Sequence, residues 1–536
     1  MNTRRGFLAD ATAFAALGMG GCWGGARSLL PASPRTCSPN YWCTWCAQGA
    51  DFDAGVLTDR SRRSKGGNST RDGIDEIAAF GKGGYASFFP ESRGEMLLVF
   101  DDGWDVPYGA QPRQRGEFAA MFPHPTRFPS FSGSPSERLA QLAQRTRDAG
   151  WRGLGLWTCV QAQGEQGHPD WKGVSAEEEW KRKFDWFARA GVRYLKCDWG
   201  MQAGDVAFRR MLTRIRDEIA PEVLMEHCVC QPPLSGFDEK KRGGSGRRLC
   251  GPEDEALRAL ERKVLPFSDC WRIYDWYDPL VVPQALDRTV CDLHLAEQTG
   301  SKAIVSTEDC VYLGAGLGCS FGAMRGPWRA HPGFFPEGQE NCRRLREVDR
   351  AVRWARLAPA FGPTDGHDVR WSDETLSDSW LVTKDNFWYA PAHGCTVEQA
   401  APARIARGLP LPEVRTTGSA PYVACARHPN GALSVLAMPR VQADGWKTPR
   451  ADVALSAELV PGRPLGVFGR FGSLSVGSRP KCRVFAQDLA GGRVHDVTDE
   501  ARFENGRLTL PGALLARIGK ECDADDSQPA TLVWTA

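Results

Sequence analysis

The sequence predicts a two-part molecule, a parallel (β/α)8 barrel followed by an all-β antiparallel sandwich domain. Over the first two thirds of the chain, strand-like apolar runs alternate with amphipathic helical segments. The ends of successive runs are separated by about 30 residues or more, which is the length of a βαβ unit. Beyond this part, short alternating runs separated by Gly, Pro and Asp replace the pattern. The predicted barrel strands are residues 41–46, 96–101, 153–158, 193–198, 223–227, 270–275 and 303–307.

Capping signals define the helices between these runs. Ser134 and Glu137 form a capping-box pattern, and the helix that they start ends at Gly150, just before a strand. A second helix begins at Ser175 and ends at Gly191, again just before a strand. Strands that alternate in this way with helices favour a parallel barrel.

The change of pattern sets the domain boundaries. Residues 344–357 are predicted to be the last barrel helix, and a Pro- and Gly-containing stretch follows it. We therefore predict a signal and linker at 1–36, a catalytic barrel at 37–362 and a β-sandwich at 363–536. Typical strands of the second domain are residues 379–383, 433–437 and 507–510.

The N-terminus resembles a bacterial export signal. Thr3-Arg4-Arg5-Gly6-Phe7-Leu8 precedes a short Ala/Gly-rich stretch at 11–21, which is typical of the twin-arginine route. Cys22 is a candidate lipidation site. The expected location is therefore periplasmic, anchored to the outer membrane, or secreted. Twin-arginine substrates fold before export, so many of the 18 cysteines are expected to be small buried side chains rather than disulfides.

Charge and metal-ligand patterns exclude several classes of protein. Lys and Arg number 67 against 65 acidic residues, which leaves no field of one sign for nucleic acid or an anionic membrane. The nine histidines form no pair at metal spacing. Cys43 and Cys46 lack the strand and helix that a redox motif needs. No cofactor or metal is expected, and contact with a membrane is expected only through Cys22.

Two basic insertions follow predicted strands. Residues 59–71 and 231–268 are rich in Lys, Arg, Gly and Ser. Runs of like charge are usually solvated, so we predict exposed loops for the basic runs on the rim of the barrel, and a helix over residues 252–263 within the second insertion.

Polar and aromatic side chains gather where the predicted strands end. Reactive groups in a (β/α)8 barrel come from the carboxyl ends of several strands, so these residues should face one mouth. A structural protein has little reason to place so many acids together, because their repulsion and desolvation are costly. The candidates are Trp42 or Trp45, Asp101, Asp102, Trp157, Lys196, Asp198, Glu226, His227, Arg272, Asp275, Glu308 and Asp309.

Two of these motifs resemble glycoside hydrolase families 27 and 36, the α-galactosidase (melibiase) clan. Asp101-Asp102-Gly103-Trp104 is similar to the clan's Asp-Asp-x-Trp on strand 2, and Tyr194-Leu195-Lys196-Cys197-Asp198 to its Tyr-Leu-Lys-x-Asp on strand 4. Arg127-Phe128-Pro129 also follows the family pattern. The resemblance covers about residues 37–362 and implies a retaining glycosidase in which Asp198 is the nucleophile.

Three positions depart from the clan pattern. Arg272 precedes Asp275 by one residue fewer than usual, so Asp269 and Asp278 remain alternatives to Asp275 as acid/base. The segment at Glu226 does not match a familiar specificity loop, and the strand-7 sequence, residues 306–309, differs from the usual Asn-Asp-Pro-Asp. These departures leave the sugar open between an α-galactoside, a β-L-arabinopyranoside and an α-N-acetylgalactosaminide.

The residue types suit hydrolysis of a glycosidic bond. One carboxylate attacks the anomeric carbon while a second carboxyl protonates the leaving oxygen. Lys196 is expected to keep Asp198 ionised, and the aromatic surroundings of Asp275 are expected to keep it protonated. Substrate contacts are expected from Asp101, Asp102, Trp45, Trp157, Lys196, Glu226, Arg272 and Asp309. The alternatives are a carbohydrate-binding protein without catalysis and a glycosyl-transferring enzyme. The expected partner in each case is an oligosaccharide or polysaccharide.

Overall fold

The computed structural model describes residues 27–30, 36–45, 47–48, 70–110, 118–162, 174–229, 255–273, 282–324, 345–381, 394, 396–442, 445–480, 482–522 and 528–536. The predicted export signal with Cys22, and both Asp275 and Asp278, lie outside these residues. So do most of the first basic insertion and the first half of the second.

Eight parallel strands form a barrel in the order β7-β6-β5-β4-β3-β2-β1-β8. The ring closes where Ser306 and Ser320 form a parallel bridge and the Ser320 amide donates to the Val305 carbonyl at 2.9 Å. The predicted (β/α)8 barrel is confirmed. Its strands are β1 (Tyr41–Cys43), β2 (Leu97–Phe100), β3 (Gly153–Thr158), β4 (Val192–Cys197), β5 (Leu224–His227), β6 (Cys270–Arg272), β7 (Ile304–Ser306) and β8 (Gly322–Ala323).

Helices cover the outside of this ring. Ser134 caps its helix with the predicted capping box, Ser175 starts the next helix as predicted and also forms a capping box with Glu178, and Gly191 ends that helix in the left-handed conformation. The helices of the barrel region are α1 (Glu76–Phe80), α2 (Pro135–Asp148), α3 (Ala176–Ala190), α4 (Val206–Ile219), α5 (Glu255–Val264), α6 (Val282–Thr299), α7 (Val311–Leu317) and α8 (Leu345–Leu357). None of the helices in the described part of the chain is long and apolar enough to cross a bilayer.

The short strand β1 shows how alternation divides the barrel into inside and outside. Trp42 packs outward against Phe88 and Trp151, with ring centroids 5.2 and 6.1 Å away. Its neighbours Tyr41 and Cys43 belong to a separate buried cluster inside the barrel. The interior above this cluster is polar, and its charged side chains form the site described below.

The C-terminal region folds as two packed sheets, as predicted. An eight-stranded sheet shares an apolar core with a five-stranded sheet. The pairing is not purely antiparallel, because Arg404–Arg407 pairs in parallel with Tyr422–Arg427, Leu433–Met438 with Leu465–Gly469, and Asp452–Leu459 with Ser473–Ser478.

The elements of this region follow one another closely. They are β9 (Val369–Trp371), β10 (Thr375–Leu381), β11 (Thr396–Pro402), β12 (Arg404–Arg407), β13 (Glu413–Arg415), β14 (Tyr422–Arg427), β15 (Leu433–Met438), β16 (Arg440–Gln442), β17 (Gly445–Lys447), β18 (Asp452–Leu459), β19 (Leu465–Gly469), β20 (Ser473–Ser478), β21 (Val484–Asp488), β22 (Val494–Asp496), β23 (Arg502–Glu504), β24 (Arg507–Pro511), α9 (Gly512–Ile518) and β25 (Ala530–Thr535).

The barrel and the β domain share buried polar contacts. Arg350 on α8 forms a two-pronged ion pair with Asp488 at the end of β21, at 2.9 and 3.1 Å. Arg407 on β12 donates to the Leu317 and Phe361 carbonyls at 3.0 and 2.9 Å. Because these groups are buried away from water, protein groups have to supply their hydrogen-bond partners. Here the barrel and the β domain supply them to each other.

The cysteines agree with the prediction of small buried side chains. Most of the cysteines in the described ranges are free thiols, and eight of them are buried. Cys291 is disulfide-bonded. The remaining buried thiols pack as small apolar side chains or donate weakly to nearby acids.

Candidate active site

Asp198 lies at the mouth of the barrel, directly after β4. The indole nitrogen of Trp157 donates to its Oδ2 atom at 3.1 Å. The Arg272 guanidinium approaches the same oxygen at 3.4 Å. The Asp198 side chain is 23% exposed, whereas that of Arg272 is fully buried. Asp198 is therefore an oriented carboxylate beside a fixed cation, and it retains a face toward solvent.

Lys196 points into the barrel two residues before Asp198. Its ammonium lies 2.8 Å from Asp101 Oδ2 and 3.8 Å from Glu308 Oε1. Asp101 also accepts from the Cys43 thiol at 2.9 Å, and its other oxygen accepts from the Asp102 amide at 2.8 Å. The prediction that Lys196 is the cation beside Asp198 is therefore wrong: the Lys196 side chain enters the barrel and pairs with Asp101, and Arg272 is the cation that approaches Asp198.

Asp102 is held by a residue that the sequence did not suggest. The Arg71 guanidinium forms a fork on this carboxylate, with Nε 2.8 Å from Oδ1 and Nη2 2.6 Å from Oδ2. Both side chains are buried. Arg71 is the last residue of the first basic insertion, so the prediction of a solvated loop is wrong for this position.

Two further carboxylates lie deeper in the barrel. Glu226 accepts from the Tyr194 hydroxyl at 2.6 Å, and Glu308 accepts from the Tyr41 hydroxyl at 2.6 Å. Tyr41 also lies 3.4 Å from Glu226, so it bridges the two acids. Burial raises the pKa of both tyrosines well above the ordinary value, which keeps them as neutral donors.

Arg272 joins these acids to Asp198. Its guanidinium lies 3.7 Å from Glu226 and 3.6 Å from Glu308, in addition to its contact with Asp198. The charges therefore alternate in sign from Asp101 through Lys196, Glu308 and Arg272 to Asp198. Alternation of this kind lets several acids share a small volume, because each is next to a cation.

Aromatic side chains form one wall of the mouth. Trp157 and Trp199 have ring centroids 5.7 Å apart, and Phe118 meets Trp199 edge-on at 5.1 Å. The chain at Phe118 is fixed because buried Asp105 accepts from the Met121 amide at 3.1 Å. Burial raises the pKa of Asp105 to about 7. Flat apolar faces beside carboxylates are typical of pockets for sugar rings.

The remaining predicted residues occupy different positions. Trp45 is half-buried and packs on the cluster inside the barrel. Glu226 is fully buried and accepts from the Tyr194 hydroxyl at 2.6 Å in the deeper part of the barrel, next to Tyr41 and Arg272. Asp309 has a left-handed backbone, with φ of 54°, and accepts from the Met324 amide at 2.9 Å, which ties the loop after β7 to β8. The two acids that flank the end of β6 at 275 and 278 lie outside the described residues.

Asp269 lies at the opposite end of β6 from Arg272. It forms an ion pair with Arg216 of α4, and its Oδ2 accepts from the Met225 amide at 2.9 Å. This position below the strand is incompatible with a reaction at Asp198, so Asp269 is not the acid/base.

Sequence reasoning missed three contributors to the site, Tyr41, Cys43 and Arg71, and assigned no role to a fourth, Glu308. Tyr41 and Cys43 alternate with the outward-facing Trp42, and this period of two could have placed them inside the barrel. Glu308 was recognised as a strand-end acid without a role. Arg71 carried no local signal, because its burial depends on contacts with residues far along the chain.

The described residues contain no group of three or more His, Cys, Asp or Glu arranged to hold a metal ion. The chemistry that the arrangement can perform is that of carboxylates held by Arg, Lys and Trp donors. A partly exposed and oriented carboxylate can attack an electrophilic carbon or accept a proton, and buried acids with their cations can hold hydroxyl groups.

Comparison with known proteins gives structural matches alone. No protein-family model and no curated protein matches the chain. The family 27 β-L-arabinopyranosidase of Geobacillus stearothermophilus is 11% identical, covers 93% of this chain and 96% of its own, and has a TM-score of 0.41. The isomalto-dextranase of Arthrobacter globiformis is 9% identical over 94% of this chain and 73% of its own, also with a TM-score of 0.41. Since barrels of similar shape carry many activities, the chemistry has to be inferred from the site.

Proposed function

We propose that the protein is an exported retaining glycoside hydrolase that removes terminal galactose-like sugars, with Asp198 as the nucleophile. The observation that carries this proposal is the state of Asp198. It is a partly exposed carboxylate at the mouth of the barrel, oriented by Trp157 and placed 3.4 Å from Arg272, among acids that are buried.

These contacts suit a nucleophile for an anomeric carbon. A carboxylate that attacks has to be ionised and fixed in direction, and Arg272 and Trp157 supply a positive charge and a directed N–H. A near-attack geometry lowers the barrier because the reacting atoms no longer have to find each other. The Asp198 carboxylate is both fixed in direction and accessible from the mouth of the barrel.

The second carboxyl is proposed to be Asp275, with Asp278 as the alternative. Retention requires it to lie ~5–5.5 Å from the nucleophile, so that it can protonate the leaving oxygen and then activate water. Arg272, at the end of β6, lies 3.4 Å from Asp198, and Asp275 and Asp278 follow it in the sequence by three and six residues, a chain length that can reach the pocket.

Asp101 and Lys196 are proposed to hold the sugar's hydroxyl groups. Their ion pair at 2.8 Å presents an acceptor and a donor side by side, which matches adjacent hydroxyls on one face of a ring. α-Galactosides, β-L-arabinopyranosides and α-N-acetylgalactosaminides share such an arrangement. The sequence resemblance to the α-galactosidase clan supports the same group of sugars.

The test is hydrolysis of 4-nitrophenyl derivatives of these three sugars. We expect wild-type protein to hydrolyse at least one of them, and Asp198→Ala and Asp198→Asn to lower kcat by at least ~10³-fold, because the covalent step is lost. The matched control is Asp185→Asn on the outer face of α3, whose side chain is 43% exposed and paired with Arg189. It should retain wild-type rates.

Two outcomes would contradict the proposal. Equal turnover by wild type and both Asp198 variants would show that another group attacks. Binding of the glycosides without turnover by the wild type would favour a carbohydrate-binding protein instead.

A further inference from the structure

The short segment at residues 70–74 is built into the wall of the pocket. Gln48 donates to the Thr70 carbonyl at 3.1 Å and to the Asp102 carbonyl at 2.9 Å, so one amide joins the segment to the loop after β2. Arg127 donates to the Arg71 and Ile74 carbonyls at 3.2 and 3.0 Å. These bonds fix the backbone from two sides.

Gly103 allows the segment to come close to the acids. Its φ is 121°, and a Cβ atom at this position would lie 2.2 Å from the Arg71 carbonyl oxygen. Only glycine fits such a contact in this backbone conformation. The glycine of the Asp101-Asp102-Gly103-Trp104 motif therefore allows the backbone of Arg71 to pack directly against the loop after β2.

The Arg71 side chain is held on all sides. Two of its nitrogens contact Asp102, and Nη1 donates to the Ala110 carbonyl at 3.0 Å. Its guanidinium carbon lies 4.9 Å from the Phe118 ring centre and 5.8 Å from that of Trp199. Cation–π contacts and a fork on a carboxylate are geometries that Arg makes and Lys cannot reproduce.

We propose that Arg71 is a positioning residue that holds Asp102 ionised and in a single orientation as a hydroxyl acceptor for the substrate sugar. This inference rests on the proposed function and adds to it a residue from outside the resembling motifs. Each carboxylate oxygen can accept two hydrogen bonds. Arg71 takes one position on each oxygen of Asp102, which leaves the others for hydroxyl groups.

The charges around Asp102 explain why it needs this partner. Burial raises the pKa of Asp102, and the negative charges of Asp101 and Asp198 raise it further, while Arg71 lowers it. Asp105 and Cys159 lie in the same neighbourhood, and burial raises the pKa of both. Loss of the Arg71 cation therefore leaves Asp102 more protonated at any given pH.

The experiment measures kcat and KM across pH 4–9 for Arg71→Met and Arg71→Lys, with whichever of the three 4-nitrophenyl glycosides the wild type hydrolyses fastest. In Arg71→Met we expect KM to rise at least ~10-fold, with a smaller change in kcat, because ground-state contacts to the sugar are lost. The acidic limb of the kcat/KM profile should move to higher pH, since Asp102 takes up a proton more readily. Arg71→Lys keeps the positive charge but loses the two-pronged contact with Asp102. Its KM and the position of its acidic limb should therefore lie between those of the wild type and Arg71→Met.

Two controls separate positioning from folding. Arg189→Met makes the same chemical change at a side chain that is 71% exposed on α3, and it should match wild type. In an Asp102→Asn background, Arg71→Met should change KM by less than ~3-fold, because residues that act through one another are not additive. Asp102→Asn also removes the titrating carboxyl group. Adding Arg71→Met to Asp102→Asn should therefore not shift the acidic limb of the kcat/KM profile.

The outcomes decide between the two proposals. An unchanged pH profile and KM in a folded Arg71→Met protein, or full additivity with Asp102→Asn, would overturn the role of Arg71 alone. If Arg71→Met does not fold, an unchanged KM and pH profile in Arg71→Lys would do the same. Failure of the wild type to hydrolyse any of the glycosides would remove the proposed function and, with it, this inference.

Discussion

Arg272 brings one buried cation within 4 Å of three carboxylates. Its guanidinium lies 3.4 Å from Asp198, 3.7 Å from Glu226 and 3.6 Å from Glu308. Among the described side chains of this cluster, Arg272 and Lys196 are the cations that face four acids, namely Asp101, Asp198, Glu226 and Glu308. Among these described side chains, four acids share two cations, so we expect loss of a cation to cost more stability than loss of a single acid.

This imbalance predicts an order of stability for two variants. Arg272→Met should lower the free energy of unfolding by ~3–5 kcal/mol, because it leaves buried carboxylates without their partner. Glu308→Gln should cost only about 1–2 kcal/mol, since its amide oxygen still accepts from Tyr41 and the excess negative charge falls. Urea unfolding at pH 7 measures both. A larger loss for Glu308→Gln than for Arg272→Met would contradict this view of the cluster.

At the scale of elements, the turn between β4 and α4 fixes the direction of Asp198. The Val160 amide donates to the Trp199 carbonyl at 2.8 Å, and the Gln202 amide donates to the Val160 carbonyl at 2.9 Å. Gly200 lies between these bonds with φ of 150°, and a Cβ atom there would lie 2.6 Å from the Val160 carbonyl oxygen. The loops after β3 and β4 are thus joined directly beside Asp198, the proposed nucleophile.

Gly200→Ala should break this junction. The backbone conformation is almost restricted to glycine and the clash is with backbone atoms, so we expect a loss of at least ~2 kcal/mol of stability and ~10-fold of kcat/KM. Gly204→Ala is the matched control, because a Cβ atom at that position meets nothing within 4 Å. Its effect should stay within ~0.5 kcal/mol. Equal behaviour of the two variants in thermal melts and rates would argue against a fixed turn.

The strand and helix pattern was predictable because its signals are local. Ser134 and Ser175 start their helices as their capping boxes indicate, and β3 has the predicted bounds. The strand-end rule likewise placed Asp101, Lys196, Asp198 and Arg272 at one mouth. β8 was missed, since two small residues, Gly322 and Ala323, carry no periodic signal.

Other parts of the site could not be predicted from spacing. Whether Glu226 faces the mouth or the interior depends on register and on the tyrosines that meet it, which no local pattern reveals. Arg71 looks like one more charge in a basic run, and only contacts with Asp102 and Arg127, remote in sequence, bury it. The all-β nature of the second domain was predicted from short alternating runs, but its parallel pairs depend on connections between distant strands.

At the scale of the whole molecule, the β domain packs against the barrel and stabilises it. Leu436 of β15 packs so tightly on α7 that a Cβ atom at Gly316 would lie 2.0 Å from its side chain. Tyr312 of α7 donates to the Gln528 carbonyl at 2.7 Å. One apolar core continues from the barrel into this sheet. Contacts from the β domain therefore stabilise α7, the helix that follows Glu308 and Asp309.

The central claim is that Asp198 forms a covalent bond to the sugar. It is tested most directly by incubating the protein with a fluorinated glycosyl fluoride of the best substrate's configuration, whose glycosyl ester hydrolyses slowly, and then measuring intact mass and peptide masses. The account predicts an added mass of one fluorosugar on the peptide that contains Asp198, and no adduct on Asp198→Asn. An adduct on a different carboxylate, or turnover with inverted product and no adduct, would contradict it.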